Sequence, residues 1–370
     1  MEISYHKAII AAVPALMITF SCHKESDLDT VTPETVPDIE WTDINEFIAK
    51  GDTQIIEQPE GIFMRHYWPD GKLIPVEKEQ KWQLFWSEAT DALTTSKTPF
   101  PEDHISLLTD ESRVWGKQFS SIDGFNDGGS WFIGIFPLDK TGHYVGFFHA
   151  ESHWPGDGTA YKSIGVVYSD DFGETWHDPQ QIIADETAKP SEPEWGGLGD
   201  ACVIWDDVNS RYICYYQAKS TIGTNALCMA MSQDRKGSPG SWKKWDGKDF
   251  TLEARNPQTG LGGPNVAIAN LRRVAGANPS VMWNKFLEKW VMVYGSWTKS
   301  IYISFSNDGI KWDTPMKILG NDFPAWYPNL IGSEGDLVGG EYVKLYWSHN
   351  QDNNGIRDIA YCWIKFKKQI

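Results

Sequence analysis

The stretch Ser169-Asp170-Asp171-Phe172-Gly173-Glu174-Thr175-Trp176 says more about the fold than any other part of the chain. Its residue types suit a tight turn that is locked onto a sheet. The Asp171 side chain can accept backbone N–H groups within the turn, and Gly173 can adopt a positive φ without steric cost. Trp176 supplies a large apolar ring that can pack back between neighbouring sheets. The stretch therefore predicts a structural turn on an outer β-strand.

More divergent copies of this turn recur along the chain. They read Thr109-Asp-Glu-Ser-Arg-Val-Trp115, Ser232-Gln-Asp234 running on to Ser241-Trp242, and Ser306-Asn-Asp-Gly-Ile-Lys-Trp312. The closing tryptophans lie at positions 115, 176, 242 and 312, which gives spacings of 61, 66 and 70 residues. A near-constant period of this size is typical of repeated four-stranded sheets with loops of variable length.

Upstream of the turns, the sequence repeats a pair of short, nearly all-apolar strands with aromatic ends. The second strand of the pair is predicted at 82–86, 144–148, 212–216, 290–294 and 343–347. The first, or inner, strand is predicted at 61–64, 131–135, 201–205, 279–283 and 328–331. Tight polar turns such as 206–211 and 284–288 join the pairs. Strands this apolar are expected in sheets that are buried on both faces.

Five repeats without a convincing long helix predict an all-β fold: a five-bladed β-propeller of four-stranded antiparallel blades. A β-sandwich is the alternative, but it does not account for the period. The predicted organisation is a signal peptide at 1–22, a flexible tether at 23–41 and a single propeller domain at 42–370. Residues 42–50 are a candidate for one short helix.

The N-terminal segment has the pattern of an export signal. Lys7 precedes the apolar run Ala8–Phe20, after which come Ser21-Cys22 and a polar, acidic stretch. A cysteine directly after a small residue is typical of a bacterial lipoprotein cleavage site. We therefore expect lipidation at Cys22 and a location in the cell envelope, at the outer membrane or cell surface. Secretion without an anchor is the alternative.

Composition narrows the partners. The 370-residue chain carries a formal charge of −17 and has no stretch dense in Lys or Arg, which argues against nucleic acid. The body of the chain lacks an apolar run of about 18 residues, the length that would span a membrane. Tryptophan is unusually frequent, with 19 residues, which indicates a Trp-rich sheet core, a sugar-binding surface or both. A monomer is expected.

The cysteines beyond Cys22 are expected to be buried free thiols. They are Cys202, Cys214, Cys228 and Cys362, and apolar residues flank the first two. Because Cys202 and Cys214 lie symmetrically about a predicted turn, a disulfide across that hairpin is the alternative. No Cys-x-x-Cys pair suggests a zinc site.

The turn at Ser169–Trp176 resembles the Asp box of β-propeller sialidases and other carbohydrate-active enzymes. Five repeats with inner strands such as Gly199-Asp-Ala201 and Asn278-Pro-Ser-Val-Met-Trp283 make residues 55–368 resemble glycoside hydrolases of families 43 and 32. These are the arabinofuranosidase, xylosidase and fructofuranosidase type. Sialidases, by contrast, have six blades and an arginine triad. The resemblance implies three acidic residues near the starts of inner strands, for which the first repeat offers Glu60.

In a propeller, inner strands begin and second strands end at one mouth of the central channel. From these positions we predict three catalytic carboxylates, Asp200, Glu151 and Asp127, with Asp123 as a rival for the third. Polar and aromatic residues at the same mouth are predicted to contact substrate. They are Glu88, His149, His153, Trp154, Trp195, Gln217, Lys219, Asn278, Trp297, Trp326, Tyr327 and His349.

His149, Glu151 and His153 form the densest cluster, and their spacing places all three on one face of a continuing strand. Glu151 could act as a general acid or base that the histidines hold or tune. The trio could instead ligate a divalent cation, or it could be a hydrogen-bonded strand end. No metal ligand is assigned, and no cofactor is predicted with certainty; a divalent cation such as Ca²⁺ is left open.

The function predicted from these features is hydrolysis of a glycosidic bond in a poly- or oligosaccharide by paired carboxylates, with a furanoside such as arabinan as one candidate. One carboxyl would protonate the leaving oxygen while the other activates water or attacks the anomeric carbon. Two alternatives remain: a polysaccharide lyase that uses a His or Tyr base, and a non-catalytic glycan-binding propeller.

Overall fold

The structure, a computed structural model, describes residues 38–39, 54–56, 71–78, 81–87, 93–98, 113–115, 119–319, 325–349 and 358–366. The predicted signal peptide with Cys22, most of the predicted tether and the candidate helix at 42–50 lie outside these residues. So do Glu60 and Glu88, and so does the side chain of His349.

The described residues are all-β apart from one 3-10 turn at Leu271–Arg273. Two short strands come first, β1 (Asp38–Ile39) and β2 (Gln54–Ile56). The first antiparallel group is β3 (Ile74–Lys78), β4 (Lys81–Ser87), β5 (Leu93–Thr98) and β6 (Arg113–Trp115). The second is β7 (Gly129–Pro137), β8 (Tyr144–His153), β9 (Ala160–Ser169) and β10 (His177–Ile183).

The third group is β11 (Gly196–Asp206), β12 (Arg211–Lys219), β13 (Asn225–Ser232), β14 (Lys243–Trp245) and β15 (Phe250–Glu253). The fourth is β16 (Gly276–Asn284), β17 (Lys289–Ser296), β18 (Ser300–Ser306) and β19 (Met316–Leu319). The fifth contains β20 (Ala325–Ile331), β22 (Tyr342–His349) and β23 (Asp358–Phe366), and the short β21 (Val338–Gly339) pairs with β16 instead.

Within each group, consecutive strands pair in chain order, as hairpins require. A short parallel pairing of Gly196–Gly197 with Tyr161–Lys162 joins the second and third groups. The strands from the start of the chain complete the fifth group, where β1 and β2 both pair with β23. Both ends of the described chain therefore meet in one sheet.

The hydrophobic core lies between neighbouring groups. Four buried clusters lie in turn between the first and second, second and third, third and fourth, and fourth and fifth groups. The fifth group contacts the first through polar bonds: Asn329 Oδ1 accepts from the Leu73 N–H at 3.0 Å, and Lys72 Nζ lies 3.0 Å from Asp336 Oδ2. Described contacts thus connect the five groups in a closed cycle.

The inner strand of the first group differs from the sequence prediction. β4 pairs with β3 on one side and with β5 on the other, so both of its edges are occupied. The inner partner is therefore Ile74–Lys78, and the predicted strand at 61–64 lies outside the described residues. Sequence periodicity misled here because 74–78, with Pro75 and two charged residues, is less apolar than its counterparts. Lys72, not Glu60, precedes this strand.

The turn at Ser169–Trp176 has the hydrogen bonds that its residue types suggest. Asp171 Oδ1 accepts from the Thr175 N–H at 2.8 Å, and Ser169 Oγ accepts from the Gly173 N–H at 2.8 Å. Gly173 has a φ of 78°. The buried Trp176 ring lies 6.3 Å from the Phe85 ring of the first group and 4.7 Å from a ring of its own group. The turn therefore fastens two sheets together.

The four cysteines among the described residues are buried free thiols, as predicted. Cys202 pairs across the hairpin with Tyr215, whereas Cys214 pairs with Val203. Adjacent positions on a strand point to opposite faces of the sheet, so the two thiols enter different clusters. The alternative of a disulfide across this hairpin is therefore wrong.

We predict that Gly173→Ala destabilises the protein more than Gly156→Ala does. Both glycines have φ near +75°, but a Cβ at Gly173 would lie 2.8 Å from the Phe85 ring, whereas Gly156 faces open space. The backbone term should cost about 1 kcal/mol in each variant, and the clash should add about 1–3 kcal/mol at Gly173. Urea unfolding measures both variants. Equal losses would contradict the packing of this turn against the first sheet.

Candidate functional site

A cavity of about 1170 Å³ opens where inner strands begin and second strands end. The starts of three inner strands contribute Asp200, Asn278 and Tyr327 to its lining, and the end of one second strand, β12, contributes Gln217 and Lys219. The structure therefore has a cavity at the mouth where the sequence predicts the site. Ten of the predicted site residues line it: His149, Glu151, His153, Trp195, Asp200, Gln217, Lys219, Asn278, Trp297 and Tyr327.

The same backbone device delivers three of these side chains. Asp200, Asn278 and Tyr327 have φ of 47°, 51° and 47°, and the strand pairing is interrupted at each of them. A non-glycine residue in this region is strained, and such strain concentrates at functional sites. Counting back from the hairpins, the corresponding positions in the first and second groups hold Lys72 and Phe132.

Glu151 lies between two histidines of its own strand. His149 Nε2 is 3.1 Å from Glu151 Oε1, and His153 Nε2 is 3.0 Å from Glu151 Oε2. The alternation of β8 puts all three side chains on one face, as their spacing predicts. The exposed fraction of the side chain rises from 7% for His149 to 15% for Glu151 and 34% for His153. His153 is therefore the member most open to the cavity.

A hydrogen bond from a neighbouring sheet fixes the state of His149. The Asp200 N–H donates to His149 Nδ1 at 2.8 Å, so this nitrogen carries no proton. The ring proton therefore lies on Nε2 and is donated to Glu151. Close packing enforces the arrangement, since a Cβ at Gly199 would lie 2.4 Å from His149 Nδ1. His149 thus links the strained backbone at Asp200 to the Glu151 carboxylate.

Lys162 provides the counter-charge for Asp200. Its Nζ lies 2.6 Å from Asp200 Oδ2, and both side chains are largely buried. Burial by itself would raise the pKa of Asp200, but the charge and hydrogen bond of Lys162 outweigh it, so the pKa is lowered. Asp200 is accordingly ionised at neutral pH.

Glu151 is ionised as well. Burial would raise its pKa, but hydrogen bonds from His149 and His153 and the nearby Lys162 ammonium lower it overall. The cavity therefore holds two carboxylates, each maintained in its charged form by specific partners rather than by exposure to water.

Three predicted residues with described side chains do not line the cavity. Asp127 is exposed, although its neighbour Gly128 contributes to the lining, and its rival Asp123 is also exposed. Trp154 is buried: its Nε1 donates to the Pro190 carbonyl at 3.0 Å. Trp326 is buried beside Trp297, with ring centroids 5.1 Å apart. Packing, not ligand contact, accounts for both tryptophans.

Several lining residues were absent from the sequence prediction: Lys72, Tyr161, Lys162, Asp185, Glu186 and Glu194. Lys162 lies on a third strand, whereas the predicted mouth positions belong only to inner and second strands. A lysine within the apolar β9 is a signal that could have drawn attention to it. The acidic residues come from the segment between β10 and β11. No local sequence pattern predicts that this segment lies at the cavity.

The described residues contain no group of three His, Cys, Asp or Glu side chains arranged to hold a metal ion. In the His149–Glu151–His153 trio, the imidazole nitrogens nearest the carboxylate bond to it, and the other nitrogen of His149 is occupied by a backbone N–H. The trio therefore fits a hydrogen-bonded network better than a cation site. Among the same residues, no helix is long and apolar enough to cross a membrane.

No protein-family model matches the chain, and no curated protein matches it in sequence. Solved structures do match. A xylan β-1,4-xylosidase from Bacillus halodurans C-125 aligns with a TM-score of 0.50 and 11% identity over 85% of this chain, which spans 55% of the xylosidase chain.

Two further glycoside hydrolases align with TM-scores of 0.49. One is a family 117 enzyme of the marine bacterium Zobellia galactanivorans, 11% identical, with 84% of this chain and 90% of that chain covered. The other is the catalytic domain of a GH62 α-L-arabinofuranosidase of Coprinopsis cinerea, 10% identical, with 84% and 95% covered. The predicted resemblance to glycoside hydrolases is thus confirmed as a likeness of fold. This conclusion rests on the alignment with the xylosidase.

We predict that Lys162→Met lowers the free energy of unfolding by about 3 kcal/mol at pH 7, because it leaves a buried carboxylate without its partner. Because the pKa of Asp200 is lowered on folding, ionised Asp200 stabilises the wild-type fold above pH about 4. This stabilisation is lost as pH falls through the folded-state pKa. Without Lys162, burial raises that pKa, so acid relieves the penalty. The difference between wild type and variant should therefore narrow from pH 7 to pH 4.

Urea unfolding at both pH values measures this difference. Lys219→Met serves as the control, because Lys219 belongs to the same cavity but is exposed. A Lys162→Met deficit that stays constant between pH 7 and pH 4 would show that the ion pair with Asp200 is not its source.

Proposed function

We propose that this protein is a glycoside hydrolase that cleaves a poly- or oligosaccharide in the cavity between the inner strands. The observation that carries the proposal is the Asp200 carboxylate, which a strained strand start presents to the cavity and Lys162 keeps ionised. The fold shared with a xylosidase supports the same class of chemistry. We further infer that the five cyclically connected groups of strands are the blades of a five-bladed propeller.

Hydrolysis of a glycoside requires one group that activates water or attacks the anomeric carbon and another that gives a proton to the leaving oxygen. Asp200 suits the first role. Lys162 takes only its Oδ2, and Oδ1 has no hydrogen-bond partner among the described residues. The Glu151 cluster on the adjacent sheet supplies the partner of Asp200. Asp127, which does not line the cavity, is left out of this mechanism.

The aromatic lining suits carbohydrate. Trp195 and Trp297 line the cavity with 63% and 50% of their surfaces exposed, which is high for tryptophan. Exposed indole faces of this kind can stack on the apolar faces of sugar rings. Because acidic and basic side chains are both present in the lining, a neutral glycan is the favoured substrate, and arabinan-type furanosides belong in the first screen. Lipid anchoring through Cys22 would hold the enzyme where such polymers arrive.

A polysaccharide lyase is the second candidate. The observation that favours it is the presence of Lys72, Lys162, Tyr161 and two histidines in one cavity, since a lyase needs a base and a cation near a uronate. Lyase products absorb near 235 nm, whereas hydrolase products do not. A screen of polysaccharides that follows both reducing ends and this absorbance separates the two activities.

We predict that Asp200→Asn lowers kcat by about 10³-fold or more, while affinity for the glycan stays within a few-fold. The amide keeps the shape of the side chain but can neither accept a proton from water nor attack carbon. Asp207→Asn, at the far end of the same hairpin, is the matched control and should keep full activity. Reducing-sugar release and isothermal titration measure the two quantities.

Retained turnover in Asp200→Asn would remove Asp200 from the mechanism. Binding without turnover in the wild-type protein as well would favour the third alternative, a non-catalytic glycan-binding propeller.

A further inference from the structure

Resting on the proposed hydrolase activity, we propose that the imidazolium of His153 donates the proton to the leaving glycosidic oxygen, and that Glu151 positions it. This assignment departs from the paired-carboxylate scheme, in which Glu151 itself would be the acid. It follows from how the three side chains of β8 bond to one another and to their surroundings.

Both carboxylate oxygens of Glu151 are engaged by the histidines of its own strand. Oε1 accepts from the His149 Nε2–H, and Oε2 is hydrogen-bonded to His153 Nε2. A proton on Glu151 could be donated only to His153 Nε2, because His149 Nε2 is itself a donor, so it would stay within the trio and would not face a ligand. His149 cannot take the proton in its place, because its Nδ1 is bonded to the Asp200 N–H. These contacts suit an anion that holds the two histidines, and the lowered pKa of Glu151 agrees.

His153 is the member that reaches the cavity. Its side chain is 34% exposed, more than twice the fraction of Glu151, and the residue belongs to the cavity lining. Nε2 is turned to Glu151, while Nδ1 has no hydrogen-bond partner among the described residues. The ring fits against Gly128, where a Cβ would lie 2.3 Å from its Cδ2. Nδ1–H is consequently the donor available to a ligand.

Separate contacts hold the backbone of His153. Lys189 Nζ donates to the His153 carbonyl at 2.6 Å and to Ser152 Oγ at 2.9 Å, and it lies 4.4 Å from the centre of the Trp154 ring. This clamp explains why Trp154 is buried rather than presented to substrate. A fixed donor is worth more than a mobile one, because its orientation is set before the substrate arrives.

Two carboxylates lie near His153, whereas the nearby lysines are bound to other groups. Glu151 is in contact, and Asp157 is close enough that the charge of His153, after hydrogen bonds from Thr159, helps to lower the Asp157 pKa. On the cationic side, Lys162 is engaged with Asp200 and Lys189 with carbonyl and hydroxyl oxygens. Glu151 is thus an anionic hydrogen-bond partner for an imidazolium at position 153.

The Nδ1–H proton of the imidazolium moves to the glycosidic oxygen as the bond from that oxygen to the anomeric carbon breaks, and the bonding electron pair leaves with the oxygen. Water adds to the anomeric carbon and gives its proton to the Asp200 carboxylate. Proton exchange with solvent then returns His153 to its imidazolium form and Asp200 to its carboxylate form.

Leaving-group dependence tests the assignment. The probes are phenyl and 2,4-dinitrophenyl glycosides of arabinofuranose, xylose and galactose, because dinitrophenolate leaves without needing a proton. His153→Gln should lose about 10²- to 10⁴-fold in kcat/KM on the phenyl glycoside and less than about 10-fold on the dinitrophenyl glycoside. The decrease of kcat/KM at alkaline pH that the wild-type protein shows should be absent from His153→Gln. His143→Gln, which removes an exposed His–carboxylate pair outside the cavity, is the control.

Glu151→Gln makes the test decisive. If His153 is the acid, this variant keeps an alkaline limb that moves to lower pH, because the imidazolium has lost its anion. If Glu151 is the acid, the dinitrophenyl glycoside restores the activity of Glu151→Gln, whereas His153→Gln loses activity on both glycosides equally. This result would overturn the proposal. Failure of the wild-type protein to cleave any glycoside would instead count against the hydrolase function itself.

Discussion

The hydrogen bond from the Asp200 N–H to His149 Nδ1 is the contact on which the site depends. This hydrogen bond offsets part of the strain of the positive φ at Asp200, and it joins the third sheet to the second. Because it also fixes the tautomer of His149, it determines which atom donates to Glu151. Strand geometry, ring orientation and carboxylate charge are therefore one coupled arrangement, and Gly199 is required for the close approach.

The charged groups of the cavity form two neighbouring clusters. Lys162 and Asp200 neutralise each other, while Glu151 lies between two imidazoles. Each carboxylate is buried enough that burial opposes its ionisation, yet its partners reverse that effect. A protonated group in this cavity is thus more easily supplied by nitrogen than by oxygen. This feature separates the site from a simple pair of carboxyls at the mouth of a propeller.

The sequence revealed the repeat because turn chemistry is local. Ser169, Asp171 and Gly173 act within one turn, so their pattern survives in copies such as Ser306–Trp312. The first repeat was misplaced because Ile74–Lys78 lacks the apolar run of its counterparts. Glu151 and Asp200 were found as strand ends, whereas Lys162 was missed because its role depends on a partner 38 positions away.

The sequence by itself determined an all-β repeat, buried free thiols and the end of the strands at which a site would lie, because each follows from short-range patterns of polarity and turn residues. Only the tertiary structure decided which of those residues meet. Trp154 and Trp195 look alike in sequence, but one is buried under Lys189 and the other is open to the cavity. Contacts between sheets set such differences, and period and composition do not encode them.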